Sequence, residues 1–178
     1  MDWMIDLETL GTDPDCVILS AGIVPFEKEK KVVHELRAMY MVFDIQAQLN
    51  AGRTVTASTL QWWMKQGDSA KEVFKLSEDS THQLGELFSD LGNVFGSNDL
   101  VWGNGSIFDI AIMEHAYRQL DWTPPWKFWN IRDTRTLWEM YPKEKGGFVG
   151  TRHNAKDDSV NQATQVCKSW ARMVELTE

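Results

Sequence analysis

Two carboxylates one residue apart, Asp6 and Glu8, stand in and just after the apolar stretch Trp3-Met4-Ile5-Asp6-Leu7. Gly11 and Pro14 follow, so the stretch reads as a short buried strand ending in a turn. Side chains alternate along a strand, which puts Trp3, Ile5 and Leu7 on one face and Asp6 and Glu8 on the other, about 7 Å apart. Acids that close on a buried strand repel each other and lose hydration. A divalent cation that takes oxygen ligands relieves both problems. Two acids at an exposed strand end need no ion, so the pair gains weight only from its company. That company includes Asp109, just past Gly103-Asn104-Gly105, and His153 with Asp158 five residues on. The other histidines, His34, His82 and His115, have Met39, Leu87 and Leu120 at that distance.

These residues need a sheet to hold them. Cys16 to Val24 is nearly all apolar and predicts a central strand covered on both faces. Glu27-Lys28-Glu29-Lys30 predicts a charged turn, and Lys31 to Phe43 a partner strand with Met39, Met41 and Phe43 on one face. Helices are expected over 57–66, capped by Thr56, and from Asp68 to Leu76. Leu84, Leu87, Phe88 and Leu91 have the spacing of an amphipathic helix. Leu100-Val101-Trp102 predicts a strand, and Ser106 is the expected cap of a helix burying Ile110, Met113, Tyr117 and Leu120. At the third position of that helix, Asp109 equally suits a helix-capping acid. Trp122 to Trp126 is a loop, followed by a strand over 128–131 and a helix over 134–140. Lys143 to Arg152, rich in glycine, is expected to be mobile. A last helix from Ala155 should bury Val160, Ala163, Cys167, Trp170 and Val174. The pattern gives one domain over 1–178, an α/β fold with a mixed sheet flanked by helices.

The formal charge of −8 and pI near 5.0 argue against a broad basic nucleic-acid surface. They leave room for an enzyme that grips a few phosphates locally. No apolar run is long enough for a bilayer span and no export signal is seen, so a cytoplasmic protein without a membrane partner is expected. Cys16 and Cys167 read as buried thiols. Most of the nine tryptophans are expected in the core.

Together, Asp6-x-Glu8, Asp109, and His153 with Asp158 resemble the three motifs of the DEDDh 3'→5' exonucleases. Met4-Ile5-Asp6-Leu7-Glu8-Thr9-Leu10-Gly11, Trp62-Trp63 and Arg132-Asp133-Thr134-Arg135-Thr136-Leu137 are most similar to a bacterial and phage branch. That branch contains a mycobacterial exoribonuclease and exonuclease A of T-even phages. The resemblance implies a ribonuclease H-like sheet, with a three-strand antiparallel meander and two further strands. It implies hydrolysis at the 3' end of single-stranded RNA or DNA with two divalent ions, Mg2+ or Mn2+. Asp6 would bridge the ions, Glu8 and Asp158 would hold one, and Asp109 would act on the other. His153 would be the general base, since an imidazole is partly neutral near pH 7. Thr9 and Leu10 could contact the terminal nucleotide, Phe108, Trp62 or Trp63 could stack on a base, and Arg135 could bind a phosphate. Core packing for the aromatics, and an ion pair with Asp133 for Arg135, stand beside those readings. Relatives are often dimeric, which leaves a homodimer open. An endonuclease, or a nucleic-acid-binding module with lost catalysis, is the alternative.

Overall fold

The structure is a computed structural model that describes residues 1–144 and 146–176. Its first strand, β1 (Asp2–Thr9), lies at the middle of a mixed sheet. β2 (Ile18–Glu27) runs antiparallel to β1, pairing Asp6 with Gly22 and Glu8 with Ser20. β2 in turn pairs with β3 (Val32–Val33) and β4 (Met39–Val42). On its other side β1 is joined in parallel by β5 (Leu100–Gly103), which pairs in parallel with β6 (Ile131–Asp133). This is the expected meander plus two further strands.

The third strand of the meander is broken in two, which its sequence does not predict. β3 pairs with Phe26 and Glu27, and β4 with Ser20 to Ile23. Between these ladders lies Pro25, which has no N–H to offer a neighbour. The chain bulges away there through a 3₁₀ turn at Glu35–Arg37, and His34 N–H donates to the Pro25 carbonyl at 3.0 Å.

Helices α1 (Ile45–Asn50), α2 (Ala57–Met64), α3 (Glu72–Glu78) and α4 (Leu84–Val94) fill the crossover between the meander and β5. Asp68 does not cap α3, whose N-cap is Lys71. α5 (Ser106–Gln119), α6 (Thr134–Met140) and α7 (Ala155–Glu175) complete the fold. Phe128 to Asn130 is a 3₁₀ turn, so the last strand starts later than expected.

Helices cover both faces of the sheet. Trp3, Ile5 and Leu7 pack with Leu87, Phe88 and Leu91 of α4 and Ile110, Met113 and Tyr117 of α5. Met4, Val24, Phe26 and Trp102 pack on the opposite face with Leu137, Ala163, Val166 and Cys167. Each large apolar side chain fully buried in this way contributes about 1.5–3 kcal/mol. Leu120 is exposed at the end of α5, and α7 buries Ala155, Ser159, Ala163, Val166 and Cys167 rather than Val174.

The expected charged turn hides one of its charges. Lys28 is buried, with its Nζ 3.0 Å from Asp2, which also accepts from Trp102 Nε1 at 2.8 Å. The network fixes the N-terminal end of β1, leaving the acids at its other end. Both cysteines are free and buried. Among the described residues no helix is long and apolar enough to cross a membrane.

Candidate active site

β1 and β5 run parallel, so their C-terminal ends meet at one edge of the sheet, the usual place for a ligand in such folds. Asp6 and Glu8 project there on the face toward α7. α7 reaches them because Gly22, paired with Asp6, has no side chain. A Cβ at Gly22 would lie 2.0 Å from the Ala155 carbonyl oxygen. The first turn of α7 thus sits directly on β2 and brings Asp158 to Glu8. Asn154 caps that turn, accepting from the Lys156 and Asp157 amides.

Asp109 arrives from the other side. Gly105, at φ +98°, is the N-cap of α5 in place of the expected Ser106, whose N–H instead donates to Asp133. A left-handed residue at that turn costs glycine little. The β1–β5 ladder ends at Met4, and beyond it Leu7 N–H donates to Asp109 Oδ1 at 3.1 Å. Asp109 is 3% exposed.

One cavity of about 580 Å³ is lined by Asp6, Glu8, Asp109, His153 and Asp158, together with Thr9, Trp62, Trp63, Phe108 and Arg135. Ligand atoms of Glu8, His153 and Asp158 lie within 4.8 Å of one another. His153 sits at φ +61°, and its N–H donates to Asp158 Oδ2 at 2.7 Å. Its ring meets Trp62 edge-on at 4.9 Å and Trp63 at 6.3 Å. Trp62 is 41% exposed and free to touch a ligand. Trp63 is 2% exposed and donates Nε1–H to the Thr9 carbonyl at 2.8 Å, which makes it wall and core at once. Leu10 does not line the cavity. It is buried with Val17, Leu19 and Trp63. The Thr9 hydroxyl is engaged with the Gly11 carbonyl at 2.7 Å. Asp133 accepts backbone N–H groups of Arg135, Thr136 and Ser106, leaving the Arg135 guanidinium without an ion pair to it.

Gln162 is a site residue that the sequence motifs do not single out. It lies four residues after Asp158, on the same face of α7, and its Nε2 donates to Asp6 Oδ1 at 2.6 Å. That spacing is the available signal.

The electrostatics of this cluster favour cations. Burial, then Asp109, Glu8 and Asp158, hold the Asp6 carboxyl well above its ordinary range. Burial, then Asp158 and Asp109, push Glu8 up to about 8. Burial raises Asp109 to about 7 against the pull of the Leu7 amide and Arg135. Asp158 is raised by burial too, although the His153 amide and Arg152 pull it down. The nearby arginines do not cancel these shifts. Four acids with oxygen donors and uncancelled repulsion are a fitting seat for hard divalent ions.

Crowding of this kind makes stability depend on pH. The folded pKa values lie above the unfolded ones, so the native state holds more protons than the unfolded chain between about pH 4 and 8. The stability contributed by these protonated acids is fully present below the unfolded values. It is lost as pH rises through the folded ones. Every tenfold gain in an acid's proton affinity on folding is worth about 1.4 kcal/mol. Without metal, the melting temperature should fall by on the order of 10 °C from pH 5 to pH 8, at roughly 2–4 °C per kcal/mol. Millimolar manganese should stabilise most at pH 8, where it competes with the fewest protons. Asp109→Asn keeps an acceptor for Leu7 N–H and removes one charge. It should raise the metal-free melting temperature at pH 8 and shrink the manganese response, despite losing a helix-dipole contact of roughly 0.3–1 kcal/mol. Scanning calorimetry checks this, and a flat metal-free profile from pH 5 to 8 would contradict it.

The chain as a whole is similar to several known proteins. Residues 1–170 match the sequence model of the 3'-5' exoribonuclease Rv2179c-like domain. A phage relative, an exodeoxyribonuclease of Enterobacteria phage T4, is 25% identical over 158 residues, spanning 76% of this chain and 69% of its own. Among solved structures, cell-death related nuclease 4 (CRN-4) superposes with a TM-score of 0.63 at 14% identity, over 98% of this chain and 64% of its own. The chain therefore spans just under two thirds of CRN-4. The nuclease domain of 3'hExo, a DEDDh family member bound to rAMP, superposes with a TM-score of 0.50 at 15% identity, over 98% of this chain and 91% of its own.

Proposed function

Because the chain belongs to the 3'-5' exoribonuclease Rv2179c-like family, we propose that it removes nucleotides from the 3' end of single-stranded nucleic acid. The observation that carries this reading is the convergence of Asp6, Glu8, Asp109, Asp158 and His153 on one cavity. The four acids would hold two divalent ions, magnesium or manganese, which supply Lewis-acid polarisation of a phosphoryl oxygen and acidify water. The proton balance then falls to this chain. A water oxygen attacks the terminal phosphodiester, and its proton passes to the His153 ring. The bond from phosphorus to the 3' oxygen of the neighbouring nucleotide breaks, that oxygen keeps the electron pair and takes a proton from solvent to become the new 3' hydroxyl, and a nucleoside 5'-monophosphate is freed.

The cavity suits such a leaving nucleotide. Its volume lies in the range of small-molecule sites. Trp62 and Phe108 offer apolar surface for a base, and Arg135 offers a cation near the acids. The 3'hExo neighbour, bound to rAMP, supports a nucleoside monophosphate as the right size of occupant. Gln162 holds the Asp6 carboxylate in place by its 2.6 Å hydrogen bond.

Polarity is the test. A single strand labelled at its 5' end should shorten one nucleotide at a time, releasing 5'-mononucleotides when magnesium or manganese is present. A bulky group on the 3' hydroxyl should stop it, and the same group on the 5' end should not. RNA and DNA versions run side by side establish the preferred sugar, since the family model names ribonuclease activity and the phage relative is an exodeoxyribonuclease. Rapid cutting of a circular single strand would overturn this reading in favour of an endonuclease.

A further inference from the structure

A second cavity, of about 230 Å³, adjoins the first and shares Asn104, Asp158 and Gln162 with it. Its chemistry is different. Where the first cavity has Trp62 and Phe108, the second has Lys143 and Arg152. Both cations are held over aromatic rings. Lys143 Nζ lies 3.9 Å from the Trp138 ring centroid, and the Arg152 guanidinium carbon 4.6 Å from that of Phe148. Such stacking fixes a charged head without satisfying its hydrogen bonds. Among the described residues neither cation has a carboxylate partner within ion-pair distance. Of the two acids in this wall, Asp158 belongs to the cluster and Glu144 is already paired with Lys168 at 3.1 Å. The buried Trp138 Nε1–H also has no acceptor among the described residues.

Cations neutralising the catalytic acids would give a plainer account. That account predicts an ion pair between Lys143 or Arg152 and an acid of the cluster; Arg152 does pull on Asp158 through space, but the ion pairs among the described residues include none to the cluster. Burial, with Arg135 and Arg152 close by, instead presses the Lys143 ammonium below its ordinary pKa. In a chain of net charge −8, a strand of phosphates needs such a local positive seat to approach the acids at all.

Building on the exonuclease reading, we propose that the second cavity binds the phosphate one linkage 5' of the scissile one, through Lys143 and Arg152. The terminal nucleoside occupies the aromatic cavity, the scissile phosphate lies at the acids, and the next phosphate reaches the cations beyond them. The ligand class is the backbone of a nucleic-acid strand, read by charge and not by base. The site makes the enzyme sense that its substrate continues past the bond being cut.

The test replaces that one phosphate by a neutral methylphosphonate in a single-stranded oligonucleotide. For the wild type, kcat/KM should fall by about tenfold to a hundredfold, the usual worth of lost charge-assisted hydrogen bonds, mostly through KM. A methylphosphonate six linkages upstream should have little effect. Lys143→Gln with Arg152→Gln keeps much of each stem over its ring and removes both charges. This double variant should lose a similar factor on the all-phosphate strand and no longer distinguish it from the substituted one. If the variant discriminates as well as the wild type, the cations do not read that phosphate and the proposal fails. If the wild type degrades no 3' end, the exonuclease reading has failed separately. The site is then judged by fluorescence-anisotropy binding of the all-phosphate strand in calcium. The slope of log Kd against log salt should be smaller for the double variant by about 0.7 per lost contact. Equal slopes overturn the site.

Discussion

Asp6→Asn should abolish turnover in a chain that stays folded. Asp6 lies on β1 between the faces that carry Asp109 and Asp158, and it feels the charges of Asp109, Glu8 and Asp158 together. An ion held there relieves repulsion with all three of those carboxylates at once. Asparagine has the same size and retains an oxygen to accept from Gln162, so the strand and α7 should stay in register. What disappears is one negative charge and one anionic ligand oxygen pair. Residues that act as a unit lose nearly the whole effect when one is removed, which sets the expected loss at about 10⁴-fold or more in kcat. Melting without metal should be unchanged or higher, because a source of like-charge repulsion is gone. The measurement is shortening of a 5'-labelled strand, with circular dichroism as the folding control. Turnover within tenfold of the wild type, in protein free of contaminating nuclease, would remove the acid cluster from the mechanism.

Which elements are legible in the sequence depends on which residues do the packing. β1 is legible because its residues are apolar on both faces and both faces are covered, with Trp3, Ile5 and Leu7 on one core and Met4 on the other. α4 and α6 are legible for the same reason, having large apolar residues on one face. α1 is not, because its buried residue is Gln48, whose side chain bonds the backbone of Ile18 from both ends. Apolar periodicity is blind to a helix that docks through hydrogen bonds. α7 is half legible. Its existence is plain, but Trp170 is only half-buried and Val174 exposed, since the contact that seats the helix is made nearer its start by Ala155, Ser159 and Ala163. Close approach to Gly22 demands small residues there, and small residues carry little hydrophobic signal. Gln162 lies on that helix and is hidden because it docks by a hydrogen bond to Asp6 and not by apolar burial. The split of the third strand comes from Pro25 on its neighbour, a constraint that no window along Lys31 to Phe43 contains.

His153 separates two roles that the geometry brings close together. Its ring nitrogen falls within 4.8 Å of oxygens of Glu8 and Asp158, which would suit a metal ligand as well as a base. The surroundings favour the base. The ring is braced edge-on by Trp62 and Trp63, and the residue sits at φ +61° on a loop before α7, tied to Asp158 by its backbone and not by its ring. Hard divalent ions prefer oxygen, and this cluster supplies four carboxylates without help from nitrogen. His153→Ala should therefore lower kcat by roughly 10²–10⁴, the worth of a general base, and leave manganese affinity within about twofold by calorimetry. Part of any loss could come from the backbone, since alanine resists a left-handed conformation. His153→Asn answers that, because asparagine tolerates positive φ yet cannot take the proton. Both variants should be equally slow. If asparagine restores activity, the histidine serves only the turn. If instead manganese binding weakens more than tenfold in both folded variants, His153 is a ligand, and the base must be sought elsewhere along the cavity wall.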